Sequence, residues 1–211
     1  MIVAFTGKKQ SGKSTACAYI ERGHLATRVN FKDGLVKELK EKFPNLLTQI
    51  IKTMDIVAYD GMNEWTIERL FSDKPPLMRA LMQNYGTEVR RGDDPDYWVK
   101  QWISTVSRIN HLVLCDDVRF INEAKAVHYV GGVIIRIERT DMLSTDTHVS
   151  EVEMESIDAD HTISVGSGEH RRLYNELDFI LDQCSNIKTS KKNTKNLVEH
   201  ITDLFAAIKN S

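Results

Sequence analysis

Residues 2–15, Ile-Val-Ala-Phe-Thr-Gly-Lys-Lys-Gln-Ser-Gly-Lys-Ser-Thr, decide the fold of this chain. An apolar run that ends at Phe5 is typical of a buried strand, and residues 16–21 are typical of a helix. Four residues between these elements satisfy the pattern G-x-x-x-x-G-K-[ST]: Gly7, Gly12, Lys13 and Ser14. In such a loop, backbone N–H groups and the N-terminus of the following helix point at phosphate oxygens. The stretch therefore predicts a phosphate-binding loop at the start of an α/β fold.

The residue types of this loop suit the phosphates of ATP and a Mg²⁺ ion. Lys13 is expected to bridge the β- and γ-phosphates, and the hydroxyl of Ser14 to ligate Mg²⁺. The residues expected to bind ATP are Gly7, Gln10, Ser11, Gly12, Lys13, Ser14 and Thr15. A glycine-rich turn without a ligand would satisfy the same pattern, but the strand before it and the helix after it favour a phosphate loop.

The composition is that of one globular domain. With 211 residues, 41 % of them hydrophobic and 27 % charged, the chain is long enough to bury a substantial core. A formal net charge of −2 gives no general attraction to a nucleic acid polymer or to an anionic membrane, so an anion site has to be built locally. Three cysteines without CxxC spacing disfavour disulfides and zinc, and favour a reducing cytoplasm, that of the host if the protein is viral. The first apolar run is too short to span a membrane.

Hydrophobic periodicity predicts a five-stranded, mostly parallel sheet flanked by helices. Short apolar runs indicate strands at residues 2–5, 25–31, 111–115, 132–137 and 162–165. Further helical patterns lie at 35–43, 98–106, 124–129 and 173–181. We therefore predict an α/β P-loop fold of three layers in a single domain, with its core at residues 1–45 and 92–185.

Three segments are expected to stand apart from this core. Residues 46–91 repeat apolar side chains at helical spacing without a strand pattern, which predicts a helical insertion. Residues 140–160 are polar and acidic, as in an exposed loop or a short helical lid. Apolar residues recur at helical spacing at 195–208, which predicts a last amphipathic helix that packs onto the body.

A second polar cluster follows the predicted strand at 111–115. An acid at the carboxyl end of a strand beside a phosphate loop can hold Mg²⁺ through water, and Asp117 is the first choice, with Asp116 the second. Arg119 has the planar donor fork that suits an acceptor phosphate. The alternative for Arg119 is a surface arginine that pairs with Glu123 across one helical turn.

Motifs that define other nucleotide-binding classes are missing from the sequence. A GTPase needs N-K-x-D for guanine and usually D-x-x-G, and neither occurs. Motor and transporter ATPases are normally larger. A small-molecule kinase remains. The alternatives are a kinase for another metabolite, such as dephospho-coenzyme A, and a non-catalytic ATP-binding regulatory module.

Four further blocks give the sequence a family resemblance. They are Arg79-Ala80-Leu81-Met82-Gln83-Asn84-Tyr85-Gly86-Thr87-Glu88, Tyr97-Trp98-Val99, Asp117-Val118-Arg119-Phe120 and Asp146-Thr147-His148-Val149-Ser150-Glu151. In this order after the phosphate loop, they resemble the bacteriophage deoxynucleoside monophosphate kinases, from about residue 1 to 181. The resemblance implies transfer of the γ-phosphoryl group of ATP to a deoxynucleoside monophosphate, with Mg²⁺, in the service of dNTP synthesis.

The resemblance also implies roles for individual residues. Lys13 and Arg119 would stabilise the transferring phosphate, and Arg139, at the end of the fourth strand, would close over it. Ser14 and Asp117 would hold the metal. The residues expected to bind the acceptor, most of them in the helical insertion, are Arg79, Gln83, Thr87, Arg90, Arg91, Arg119, His148 and Glu151.

Several of these assignments carry alternatives. Arg79, Gln83 and Thr87 recur every four residues, which places them on one helix face that would contact base or sugar; a helix cap and a surface salt bridge are the other interpretation. Arg90 and Arg91 are two candidates for one phosphate contact. His148 and Glu151 would belong to the lid, where an exposed histidine is otherwise simply solvated.

Residues 31–37 depart from the family pattern, and the helix face of Trp98 and Trp102 has two interpretations. In residues 31–37 the basic side chains are displaced from the position where the family tends to carry a lysine, which puts the contacts of that segment in doubt. Trp98 and Trp102 lie on one helix face that belongs to the core or to a dimer contact. The core is favoured, and the resemblance leaves a homodimer open.

Overall fold

Five parallel strands form one sheet at the centre of the protein. The computed structural model describes residues 1–57, 65–141 and 153–190, and their side chains except those of 55–57 and 185–190. The strands lie in the order β2-β3-β1-β4-β5, and each adjacent pair is parallel. Their bounds are β1 Ile2–Thr6, β2 Ala26–Arg28, β3 Leu112–Cys115, β4 Val133–Arg139 and β5 His161–Val165. The predicted five-stranded sheet is confirmed, and every pairing in it is parallel.

Helices connect the strands and form the insertion. Their bounds are α1 Lys13–Gly23, α2 Lys32–Lys42, α3 Pro44–Val57, α4 Ile67–Asp73, α5 Pro76–Gln83, a π-helix Asn84–Arg91, α6 Tyr97–Val106, α7 Ile121–Tyr129 and α8 His170–Ser190. Pro44 and Pro76 each begin a helix, because the first helical residue needs no N–H for the helix ladder. The described part of residues 46–91 is helical except at 65–66 and 74–75, as the periodicity predicted.

Apolar side chains cover both faces of the sheet. On one face Phe5 and Ile135 pack with Ile20 of α1 and Leu177 of α8. On the other face a second cluster, which includes Trp102 of α6, packs against the strands. Strands buried on both faces read as continuous apolar runs rather than as alternating patterns, which is why the sequence marks them well.

The insertion has a small core of its own that joins the main body at α6. Leu39, Leu47, Leu70 and Met78 are fully buried there and pack with Trp98. The indole N–H of Trp98 donates to the carbonyl of Gly86 in the π-helix at 2.9 Å. Trp102 likewise donates to the carbonyl of Val29 at 2.9 Å. Both tryptophans therefore belong to the core of this chain, as the sequence favoured.

Only the two ends of the predicted lid fall within the described residues. At its carboxyl end Met154 and Ile157 are buried under the sheet, and Arg136 of β4 donates to the carbonyl oxygens of both residues. The final helix expected at 195–208 lies outside the described residues. Among the residues that are described, no helix is long and apolar enough to cross a membrane.

Candidate active site

The loop between β1 and α1 has the backbone of a phosphate-binding loop. Gly7 and Gly12 have φ values of 135° and 110°, which side-chain-bearing residues rarely adopt. A Cβ on Gly7 would also collide with the carbonyl oxygen of Ile137 in β4. The loop can therefore lie against the sheet only with glycine at this place, and α1 begins directly after Gly12.

Lys13 is held inside this loop. Its ammonium group donates to the carbonyl oxygens of Gly7 at 2.5 Å and Lys8 at 2.7 Å, and the residue is only 8 % exposed. Both partners are backbone groups of the loop itself. The ammonium group is thus fixed inside the phosphate loop, and its contact with the phosphates of ATP stays a prediction.

Ser14 in the first turn of α1 and Asp116, directly after β3, contact each other. The Ser14 hydroxyl donates to Oδ2 of Asp116 at 2.7 Å, and the same carboxylate accepts from Asn30 at 2.9 Å and Arg28 at 3.1 Å. Burial by itself raises the pKa of Asp116, but the Ser14 hydrogen bond and the charges of Lys32 and Arg28 lower it below its ordinary value. An ionised carboxylate and a hydroxyl oxygen therefore lie together beside the phosphate loop.

Asp117, which the sequence favoured as the metal ligand, has another set of partners. Its carboxylate accepts the backbone N–H groups of Phe31 at 2.9 Å and Lys32 at 3.1 Å, at the start of α2. The thiol of Cys115 is a third partner at 3.2 Å. The contact with Ser14 belongs to Asp116, whereas Asp117 lies against the start of α2. Ser14 therefore meets Asp116, the second choice, and the assignment of the metal ligand stays a prediction.

One cavity of about 790 Å³ joins the phosphate loop to the insertion. Its size is within the usual range of small-molecule sites. It is lined by nine of the residues that the sequence singled out: Gln10, Lys13, Ser14, Arg79, Gln83, Thr87, Arg91, Asp117 and Arg119. Residues that were predicted to bind ATP and residues that were predicted to bind the acceptor therefore line the same cavity.

The face formed by Arg79, Gln83 and Thr87 lines this cavity although it spans two helix types. Arg79 and Gln83 lie in α5, whereas Thr87 lies in the π-helix, whose wider turn the four-residue spacing did not predict. Gly86 lies next to Leu35 of α2, which a Cβ would approach to 3.0 Å. π-Helical turns are frequent at functional sites.

The neighbouring residues Arg90 and Arg91 have different partners in the structure. Arg90 donates to Glu38 and to the hydroxyl of Tyr85, both at 3.0 Å, and it is not part of the cavity lining. Arg91 lines the cavity and stacks on the ring of Phe120 at 4.0 Å. Arg91 is therefore the candidate for the phosphate contact, and Arg90 holds the insertion to α2.

Glu123 is a buried carboxylate in the same lining. It accepts from the guanidinium of Arg91 and from the backbone N–H groups of Arg119 at 2.8 Å and Phe120 at 3.1 Å. Burial raises the pKa of Glu123 to about 7, against the lowering effects of Arg91 and the two N–H groups. The sequence offered Glu123 only as a partner of the Arg119 side chain; its position three residues into α7 is the signal for its capping role.

A family model described as deoxynucleotide monophosphate kinase matches residues 36–176 of the sequence. The chain belongs to this family. A putative deoxynucleotide monophosphate kinase of Acanthamoeba polyphaga mimivirus is 29 % identical over 199 residues, which cover 88 % of this chain and 98 % of the relative. The deoxynucleotide monophosphate kinase of Escherichia phage RB69 is 26 % identical over 133 residues, or 61 % of this chain and 53 % of the phage protein. Both relatives are viral.

Two solved structures are similar to this deoxynucleotide monophosphate kinase family member. Shikimate kinase from Aquifex aeolicus has 13 % identity and a TM-score of 0.45, covering 88 % of this chain and 98 % of the other. The protein TT1252 from Thermus thermophilus has 16 % identity and a TM-score of 0.42, covering 87 % and 97 %. At these TM-scores, the fold assignment rests on the strand order and the phosphate loop of the chain itself.

Arg139 of the kinase does not line the cavity that contains Arg91 and Arg119. It pairs with Asp141 at 2.9 Å and lines a second cavity of about 460 Å³, together with Gly7, Lys8 and Ser11 of the phosphate loop. The structure thus brings Arg139 to the loop but not to Arg119 and Arg91. His148 and Glu151 lie outside the described residues.

Sequence reasoning missed two lysines that line the large cavity. Lys32, in the segment whose contacts were in doubt, lines the cavity and pairs with Asp116 at 3.6 Å. Lys74 enters it from the junction of α4 and α5. Neither residue lies in a recognisable motif, and only the folding of the insertion over the sheet brings them to the site.

Proposed function

We propose that this kinase transfers the γ-phosphoryl group of ATP to a deoxynucleoside monophosphate, giving ADP and a deoxynucleoside diphosphate. One observation carries the proposal: a single cavity connects Lys13 and Ser14 of the phosphate loop with Arg79, Arg91 and Arg119. Cations on the far side from a triphosphate site suit a second phosphate compound as acceptor. Membership of the family agrees with this substrate class.

The reaction needs no general base. An anionic oxygen of the acceptor phosphate attacks the γ-phosphorus; a new P–O bond forms as the bond to the β,γ-bridging oxygen breaks, and ADP leaves with that electron pair. Catalysis is then positioning and charge stabilisation. Lys13 stabilises the charge of the β- and γ-phosphates, while Arg91 and Arg119 orient the acceptor.

The residues beside the phosphate loop fit Mg²⁺. The hydroxyl of Ser14 and the ionised carboxylate of Asp116 are hard oxygen donors within 2.7 Å of each other. Among the described residues no group of three or more His, Cys, Asp and Glu side chains could hold a metal by itself, and a magnesium site needs few protein ligands when phosphates and water supply the others. We assign Ser14 and Asp116 as the residues that hold Mg²⁺, which when bound offsets phosphate charge.

The insertion, about residues 46–91, binds the nucleoside part of the acceptor. Gln83 carries an amide that can donate to and accept from a base edge, and Thr87 offers a hydroxyl on the same face of the cavity. Arg139, which lines a cavity together with Gly7, Lys8 and Ser11, contacts the phosphates of ATP. His148 and Glu151 of the predicted lid lie outside the described residues.

An acceptor screen tests the function directly. The purified chain with ATP and Mg²⁺ is offered dAMP, dCMP, dGMP and dTMP, their ribose counterparts and dephospho-coenzyme A, and the products are separated by chromatography. We expect one ADP for each deoxynucleoside diphosphate formed. If dephospho-coenzyme A were the only compound phosphorylated, the proposed acceptor class would be wrong. Tight binding of ATP without any product would indicate a regulatory module instead.

A further inference from the structure

Lys74 has a backbone conformation that lysine rarely adopts. It follows the last residue of α4 with φ 50° and ψ 64°, in the left-handed region, and is succeeded by Pro75 and Pro76. Glycine would occupy this place without strain. The two prolines restrict the chain on the other side, so the backbone at Lys74 is held between α4 and a rigid segment. A strained residue at a cavity is a reason to look for a role of its side chain.

The side chain of Lys74 lies among other cations. It is half-buried in the lining of the large cavity, and the charges that act on it are those of Lys32, Arg79, Arg119 and Asp117. Burial first, and then the three positive neighbours, lower the pKa of Lys74 below its ordinary value, with Asp117 opposing them. A positive charge is therefore held at this place at a cost in free energy.

The carboxylates of the cavity are engaged elsewhere. Glu123 pairs with Arg91, Asp116 pairs with Arg28 and Lys32, and Asp117 accepts the N–H groups at the start of α2. Within the described part of the chain, the ammonium group of Lys74 makes no hydrogen bond and no ion pair. The group is placed to meet an anion that is not part of the protein.

We propose that Lys74, together with Arg79 and Arg119, binds the phosphate group of the acceptor nucleotide. This assignment rests on the proposed function and adds a ligand that no recognised motif contains. A compact ammonium ion with three N–H donors suits a phosphate oxygen, and a dianion offsets the repulsion between the neighbouring cations. The acceptor phosphate fits better than the ATP phosphates, because Lys74 belongs to the insertion, at the junction of α4 with α5, and α5 also carries Arg79 and Gln83 of the cavity lining.

Three substitutions and one control test the proposal. Lys74→Met removes the charge, Lys74→Arg keeps it, and Lys74→Gly removes the side chain while relieving the backbone, so that this variant stays folded. Lys52→Met is the matched control, since Lys52 is exposed on α3 of the same insertion and is not in the cavity lining. KM for the acceptor, KM for ATP and kcat are measured for each.

We expect Lys74→Met and Lys74→Gly to raise KM for the acceptor by about 10-fold or more, the usual effect of losing a charge-assisted hydrogen bond. KM for ATP should change by less than about 2-fold. Lys74→Arg should recover most of the acceptor affinity, and Lys52→Met should resemble the wild type. Equal changes in both KM values, or an unchanged acceptor KM in the Gly variant, would overturn the assignment.

A binding measurement separates this proposal from the proposed function. Calorimetry compares a deoxynucleoside monophosphate with the deoxynucleoside that lacks its phosphate, without ATP and therefore without turnover. Lys74→Met and Lys74→Gly should bind the monophosphate more weakly, and the difference in affinity between the monophosphate and the nucleoside should be smaller than in the wild type. If the wild type binds monophosphates but forms no diphosphate, the function fails while this test still decides the role of Lys74. If Lys74→Met and Lys74→Gly kept the full difference in affinity between monophosphate and nucleoside, the proposed role of Lys74 would be wrong.

Discussion

The guanidinium group of Arg91 is paired with the carboxylate of Glu123, with side chains only 12 % and 3 % exposed. Arg91 ends the π-helix of the insertion and Glu123 lies in the first turn of α7, so the contact joins the insertion to α7. Removing one partner of a buried ion pair is strongly destabilising, because the other charge is left buried and unpaired. The pair therefore contributes both to the stability of the protein and to the lining of the large cavity.

Glu123→Gln should change how the stability of the protein depends on pH. Because burial raises the pKa of Glu123 from 4.5 to about 7, its contribution is fully present below pH 4.5 and is lost as pH rises through 7. This shift corresponds to about 3 kcal/mol. The free energy of unfolding of the wild type, relative to the Gln variant, should fall between about pH 4.5 and pH 7. Parallel curves across that interval would show that Glu123 does not titrate there.

Arg91→Lys and Arg90→Lys should have different effects, although the residues are adjacent. Lysine keeps the charge but loses the planar fork and the stacking on Phe120, so Arg91→Lys should raise KM for the acceptor by about 10-fold. Arg90→Lys should lower thermal stability by weakening the contact with Glu38, and leave KM within about 2-fold. Steady-state kinetics and thermal unfolding distinguish the two, and an acceptor KM raised equally in both variants would remove the distinction.

Lys13→Ala should abolish transfer and leave the fold intact. Loss of one group that stabilises the transferring phosphate typically lowers kcat by about 10²–10³ or more. Lys37→Ala is the control, because Lys37 is exposed on α2 and is not in the lining of the large cavity. Product formation and circular dichroism are measured together. Transfer retained by a folded Lys13→Ala protein would reject the role of this lysine.

Asp116→Asn should raise the Mg²⁺ concentration that the reaction needs, since Asp116 is the carboxylate that contacts Ser14. Asp117→Asn should act on stability instead, by about 1 kcal/mol, because Asp117 accepts two N–H groups at the start of α2. Titration of activity with MgCl₂ and chemical unfolding of both variants give the two readouts. A Mg²⁺ requirement shifted only in Asp117→Asn would restore the order that the sequence favoured.

Gln83→Ala should alter the choice among bases more than the binding of ATP. Gln83 lines the large cavity, and its amide can both donate a hydrogen bond to a base edge and accept one from it. Relative kcat/KM values for the four deoxynucleoside monophosphates should change by about 10-fold for at least one base. An equal loss for every base would mean that Gln83 does not read the base.

Much of the site could be predicted because it lies in short continuous motifs. Gly7, Gly12, Lys13 and Ser14 are close in sequence, and their loop forms wherever a buried strand precedes and a helix follows. Arg79, Gln83 and Thr87 were placed on one face by their spacing, and the structure brings all three to one cavity. The π-helix was beyond prediction, because its wider turn is not marked by any residue pattern in this sequence.

The amino-acid sequence by itself determined the phosphate loop, the five strands and the family, since these depend on local residue order and on apolar runs. Only the tertiary structure gave Asp116 and Asp117, and Arg90 and Arg91, their different partners, because adjacent residues point in different directions and only their distant partners separate them. It also brought Lys32, Lys74 and Glu123 to the lining of the large cavity. Each of these residues reaches the cavity from a different element, and their neighbourhood depends on how the insertion packs against the sheet.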